Sequence, residues 1–195
     1  MRYDAEHKQR THQKVLKAAA KTIRAKGPDR VAVAEVMAQV GLTHGGFYAH
    51  FASKDDLVAA AIGQMFAESG ARLEYETANR SPRAALAGYI DFYLSREHRD
   101  ARRSGCPLAA LSSDMPRLNT KVRNQFADGR QRLVRALGGL LEQTGNRHAD
   151  ADANSMFAEL LGALSLARME PDGALSDAVL DDSKRSIKRR LGLEP

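Results

Sequence analysis

Thr43, His44, Tyr48 and Lys54 fall within one stretch, GLTHGGFYAHFASKDDLV, from Gly41 to Val58. Each suits contact with a polyanion. A tyrosine hydroxyl donates to a phosphate, a lysine in the first turn of a helix adds a point charge, and a threonine can cap a helix while meeting a nucleic-acid backbone. His44 can donate to guanine O6 or N7, or to a phosphate. The Gly45-Gly46 pair offers no side chain to read a base but lets a helix approach closely. Glycine inside a helix costs about 1 kcal/mol relative to alanine, so the pair calls for a compensating reason. Groove approach is one; a locally loose helix start is the plainer one.

The elements that would position these residues are legible from spacing. Gly41 follows a short apolar segment with Val36 and Val40, where a helix C-terminal glycine sits, and Thr43 is a suitable N-cap for the next helix. Phe47 and Phe51 are four apart and face inward with Leu42. His44, Gly45, Tyr48 and Ala49 are left outside, which is the pattern of a helix-turn-helix.

The pattern Gly41-Leu42-Thr43, then Phe47-Tyr48-x-His50-Phe51-x-Ser53-Lys54-x-x-Leu57, resembles the DNA-binding domain of the TetR/AcrR regulators. The resemblance spans roughly residues 12 to 62. It implies that Thr43, Tyr48, His50 and Lys54 hold phosphates and that His44, Gly45 and Gly46 approach base edges. It departs from the family pattern ahead of the turn, where Val31, Ala32 and Val33 leave helix 2 without a capping hydroxyl and Ala34 replaces a position that can read a base. Base readout is therefore expected mainly from the second helix of the motif.

Charge supports a polyanionic partner. Of a net charge of +6, residues 1 to 54 carry ten Lys/Arg against four Asp/Glu, which is the whole excess. The plainer reading is that the lysines solvate helix 1. One cysteine and six scattered histidines give neither an intramolecular disulfide nor zinc-ligand spacing, so no metal or cofactor is implied. No apolar run approaches the ~18 residues that span a bilayer, and the N-terminus lacks a signal-peptide core. A cytoplasmic protein without a membrane partner is expected. P-loop, GxSxG, GxGxxG and HExxH patterns are missing from the sequence. Cys106 with His98 or His148 carries no local signature of a nucleophile and base, so an enzyme is not expected.

The spacing predicts an all-α chain in two domains, residues 1–52 with the helix-turn-helix and 53–195, and the resemblance implies that the second serves effector binding and dimerisation. Residues 1 to 10 read as a frayed or flexible basic arm. Helices are predicted from Thr11 to Gly27-Pro28, over 33–40 and 43–51, from Ser53 to about Ala78, and from Pro82 to before Gly105. Further helices are expected from Cys106-Pro107 to about Ser113, from Pro116 to Gly145-Asn146, over 150–169 and over 172–191. Met156, Phe157, Leu160, Leu161 and Leu164 form one stripe beside small residues. On pattern alone it is either core or interface. The family resemblance implies that the last two helices form a homodimer, with Val179 and Ile187 contributing, so that two recognition helices meet double-stranded operator DNA.

The resemblance also implies a small-molecule effector. Phe66, Tyr89, Phe92, Tyr93, Met115 and Phe126 are candidate pocket residues, although each is equally an ordinary core residue. Cys106 stands at a possible N-cap, with Arg102 and Arg103 just before it, a setting that favours thiolate. A similar cysteine occurs in an electrophile-sensing subgroup of the family; the plainer reading is a small, inert residue before Pro107. The function expected is a ligand-responsive regulator, a repressor rather than an activator, released from a palindromic operator by a small molecule or electrophile. The alternatives are a non-specific nucleoid-type DNA binder and a helical ligand-binding protein without operator recognition.

Overall fold

The computed structural model describes residues 2–194; Met1 and Pro195, the outer ends of the two expected domains, lie outside them. Among the described residues every regular element is helical. Helix α1 spans Arg2–Lys26 and buries Val15, Leu16, Ala19 and Ile23. The expected basic arm is thus a helical extension of α1, which begins well before Thr11. Helix α2 spans Val33–Gln39 and starts at Ala32 without a side-chain cap, as its sequence implies.

Gly41 ends α2 with φ +74. Its N–H donates to the Ala38 carbonyl at 3.1 Å and that of Leu42 to Met37 at 3.0 Å, the paired bonds of a Schellman motif that glycine closes without Cβ strain. The recognition element that follows, His44–Ala49, is a 3₁₀ helix rather than the α-helix expected over 43–51. Two adjacent glycines weaken its α preference, and the Gly46 to Thr43 and His50 to Phe47 bonds of 3.1 and 2.9 Å have the tighter spacing. Thr43 occupies the N-cap position, but its hydroxyl makes no capping bond.

Helix α3, Lys54–Thr77, begins where Ser53 accepts from the Asp56 N–H at 3.1 Å. It packs on α1 and on α7, and the apolar core runs unbroken from Val15 to Leu193 across the expected boundary between residues 52 and 53. Helix α4 is Pro82–Tyr93, capped by Ser81. It stops at Leu94, because Ser95 caps a new short helix, α5, Arg96–Asp100. Helix α6 is Pro107–Leu111. Pro116 lies in a single 3₁₀ turn, and the long helix expected to start there, α7, spans Thr120–Gln143 under an Asn119 cap.

Gly129 of α7 lies against the Phe66 ring of α3, where a Cβ would stand 2.1 Å from a ring carbon. Only glycine permits that approach. Helices α8, Ala149–Met169, and α9, Gly173–Arg190, close the bundle. Met156, Leu160 and Leu164 are fully buried within the single chain and Phe157 nearly so. Apart from the partly buried Leu161, the stripe assigned to the subunit interface is therefore intrachain core, in a helix against which both α7 and α9 pack. Leu166, Met169 and Leu175 are exposed instead.

Candidate nucleic-acid interface and interior cavity

Phe47 and Phe51 stack at 5.6 Å and anchor the recognition element from below. Thr43, His44, Gly45, Tyr48 and Ala49 consequently stand on the outside, with Tyr48 68 % exposed. A Cβ on Gly45 or Gly46 would meet the Thr43 hydroxyl at 3.9 Å, so the glycines leave a shallow step beside a free hydroxyl. Neither glycine is required by φ.

His50 is placed differently. It is half-buried, 5.9 Å from the His12 ring of α1, and its Nδ1 is enclosed without a hydrogen-bond partner. Burial first, then the neighbouring His12 and Lys8, lower its pKa. It forms a shallow concavity with Lys8, Gln9 and His12. Lys54 Nζ donates to the Asp29 carbonyl at 2.8 Å, tying the start of α3 to the loop before α2. Two further cations are committed inside the protein, Arg24 to Glu68 and Lys26 to Glu35 at 2.8 and 2.6 Å. Lys14, Lys17 and Lys21 line one exposed face of α1 at helical spacing.

A cavity of about 360 Å³ opens between α3, α4 and the α5–α6 segment. This is the low end of the range for small-molecule sites. Tyr89, Phe92, Tyr93 and Cys106 line it, as expected. Phe66 and Phe126 do not: their rings meet edge to face at 5.4 Å where α3 packs on α7. Met115 is buried in the turn ahead of α7, also away from the cavity.

His98, not among the expected site residues, organises this wall. Its ring stacks on Phe92 at 5.1 Å, and the Arg72 guanidinium lies 4.0 Å from the centre of the Phe92 ring. The Cys106 N–H donates to His98 Nε2 at 3.0 Å, so Nε2 carries no proton. Nδ1 is then the protonated nitrogen and donates to the Tyr93 carbonyl at 2.8 Å. Burial pushes the pKa of His98 down to about 4, which keeps the imidazole neutral at ordinary pH.

Cys106 is 5 % exposed, and burial pushes its thiol up despite the Tyr93 hydroxyl and the backbone N–H groups of Ala109 and Leu108. The expected thiolate is therefore not favoured. Arg102 and Arg103 are exposed; the cation acting on the sulfur is Arg168 of α8, which donates to the His98 and Arg99 carbonyls at 3.0 Å each. The Tyr93 hydroxyl is enclosed beside the thiol with no nitrogen or oxygen partner. Glu68, Arg72 and Glu97 complete the mouth. These too were missed, although a basic Arg24 on the α1 stripe of Leu16 and Ala20 signals a buried acidic partner.

Residues 15–61, which hold the whole turn and recognition element, match the family model of bacterial regulatory proteins of the tetR family. A TetR-family transcriptional regulator from Agrobacterium tumefaciens has the same fold with 26% identity and a TM-score of 0.77, over 92% of this chain and 98% of its own. The N-terminal domain of this chain is that of the TetR family. A TetR regulator from Chloroflexus aurantiacus superposes with a TM-score of 0.82 at 21% identity over 96% of both chains. The reduced form of E. coli NemR does so with 0.80 at 20% identity, over 92% of this chain and 95% of its own. No curated protein matches the sequence significantly.

With that N-terminal domain the chain is a DNA-binding transcriptional regulator of helix-turn-helix type. Among the described residues no helix is long and apolar enough to cross a membrane, and no cluster of His, Cys, Asp or Glu could hold a metal.

Proposed function

We propose that this TetR-family regulator is a cytoplasmic homodimeric repressor that holds a palindromic operator and leaves it when a small molecule fills the cavity beside His98. The observation that carries the DNA half is the exposed row of Thr43, His44 and Tyr48 beside two glycines, held rigidly by buried Phe47 and Phe51. Thr43, Tyr48, His50 and Lys54 serve the phosphates, and His44, Gly45 and Gly46 face the groove. Lys54 has donors beyond the one given to Asp29, so it can bridge the protein and a phosphate.

Lys54→Ala should weaken binding alike on all duplexes and reduce the log–log salt slope by roughly 0.9. His44→Ala should shift preference at one base position by about 1 to 3 kcal/mol. Salt titrations and selection from random duplexes measure both. An unchanged slope removes Lys54 from the phosphate contacts, and an unchanged preference assigns His44 to the backbone. Selection that returns no palindrome would favour a nucleoid-type binder.

Leu166, Met169 and Leu175 form an exposed apolar edge on α8 and α9, with Leu161 and Val179 partly buried beside it. That edge is the proposed dimer surface, which would set two recognition elements about 34 to 36 Å apart. Leu166→Glu combined with Met169→Glu should give a folded monomer by sedimentation. A persistent dimer would place the interface elsewhere. The effector is non-covalent on this reading, because burial keeps Cys106 as a thiol. Tyr89, Phe92 and Tyr93 supply the aromatic walls for it.

A further inference from the structure

Glu68 belongs to two places at once. It lines the cavity, and its Oε2 accepts from Arg24 of α1 at 2.8 Å while Oε1 accepts from Gln64 at 3.1 Å. The Arg24 side chain is only 2% exposed and its Nε has no partner, whereas the Glu68 side chain keeps 36% exposure. A buried guanidinium is thus neutralised by a carboxylate that a cavity ligand can touch.

Arg72 is occupied by Glu76 at 2.6 Å and by the Phe92 face. Among the described residues Glu97, at the rim, makes no ion pair. The pairs Arg24–Glu68 and Arg72–Glu76 cancel, and Arg168 behind His98 and Cys106 offsets Glu97, but the two carboxylates Glu68 and Glu97 line the cavity while Arg168 is turned to the His98 and Arg99 carbonyls. Tyr89, Phe92 and Tyr93 add aromatic faces to the wall beside His98 and Cys106, and the Tyr93 hydroxyl has no nitrogen or oxygen partner.

Building on the cavity as the effector site, we propose that it takes a planar aromatic cation whose charged N–H groups displace the Arg24 guanidinium from Glu68. Once Glu68 turns to the ligand, Arg24 is left buried with its charge uncompensated. The end of α1 loosens to bring that charge to water, and α1 is the scaffold of the DNA-binding domain. An amidinium copies the planar fork of the guanidinium it replaces. Benzamidine is the simplest probe, and benzamide is its neutral counterpart.

The test uses the full chain and three readouts: calorimetry, backbone hydrogen exchange over residues 22–27, and DNA affinity by anisotropy. Benzamidine should bind at least about tenfold more tightly than benzamide, and Glu68→Gln should remove that margin, whereas Glu97→Gln at the rim should reduce it less. Exchange at the end of α1 should rise on saturation with benzamidine in the parent and not in Glu68→Gln. Equal binding of the two probes, an unaltered margin in Glu68→Gln, a larger loss in Glu97→Gln, or unchanged exchange would each overturn the inference. If exchange rises as expected while DNA affinity stays constant, the inference stands and the effector-release reading falls. A neutral aromatic compound that fills the cavity and releases DNA, with benzamidine inert, would preserve that reading and overturn this one.

Discussion

Leu160→Glu should unfold the C-terminal bundle rather than merely separate the subunits. Leu160 is fully buried within one chain, in a core that includes Met156, Phe157 and Leu164. The substitution removes an aliphatic side chain worth about 2 to 5 kcal/mol and places a carboxylate where no cation can follow, at a further cost of several kcal/mol. Domain stabilities are typically about 5 to 15 kcal/mol, so the sum consumes most or all of it. Loss of the cooperative melting transition is expected, with dye binding to exposed apolar surface. A soluble variant that melts like the parent would show that α8 is rotated relative to the described packing. The contrast with Leu166→Glu/Met169→Glu separates interior from interface on the same helix.

Acid should destabilise the protein through His98, with an expected loss of about 3 kcal/mol as pH falls from 6.5 to 4. Its folded pKa is pushed down from 6.5 to about 4, first by burial. Between those values the unfolded chain binds a proton that the folded chain refuses. The stabilisation is therefore present above pH 6.5 and lost as pH falls towards 4. His98→Gln deletes that titration, so parent and variant should differ in the pH slope of their denaturation midpoints over this window while sharing the slope contributed by carboxylates. Identical slopes would mean that His98 protonates freely in the folded protein. Below about pH 4 the folded imidazole itself takes the proton, Nε2 can no longer accept from the Cys106 N–H, and the cavity wall should loosen.

The recognition motif was legible because several independent rules agreed within a few residues. Gly41 closed a helix, Phe47 and Phe51 set one inward face, and Ser53 capped α3. The 3₁₀ form was not, because an element of six residues with one buried side chain holds too few apolar positions to reveal its period, and the glycine pair tips the choice. Helix α8 misled for another reason. It is apolar on more than one side, so periodicity revealed a helix without revealing which stripe faced its own chain. Cys106 illustrates a limit of local sequence: a cysteine before proline and after two arginines suggests an activated sulfur, but its exposure depends on α8 and on Tyr93, far away in the chain. The cavity's polar side chains escaped notice because Glu68 and Arg72 look like ordinary surface residues until Arg24 and Phe92 are placed beside them.

The meeting of Gly129 with the Phe66 ring gives α3 a fulcrum. With no Cβ between ring and backbone, α3 cannot slide or roll there without collision, but it can tilt about the contact. Phe66 is twelve residues from Lys54 and six from Arg72, so a rise of about 1.5 Å per residue gives unequal arms of roughly 18 Å and 9 Å. A rigid α3 that tilts there moves its DNA-proximal end about twice as far as its cavity end, and in the opposite direction. A sub-ångström adjustment at the cavity end would thus be doubled, by leverage alone, at the end of α3 that carries the recognition element.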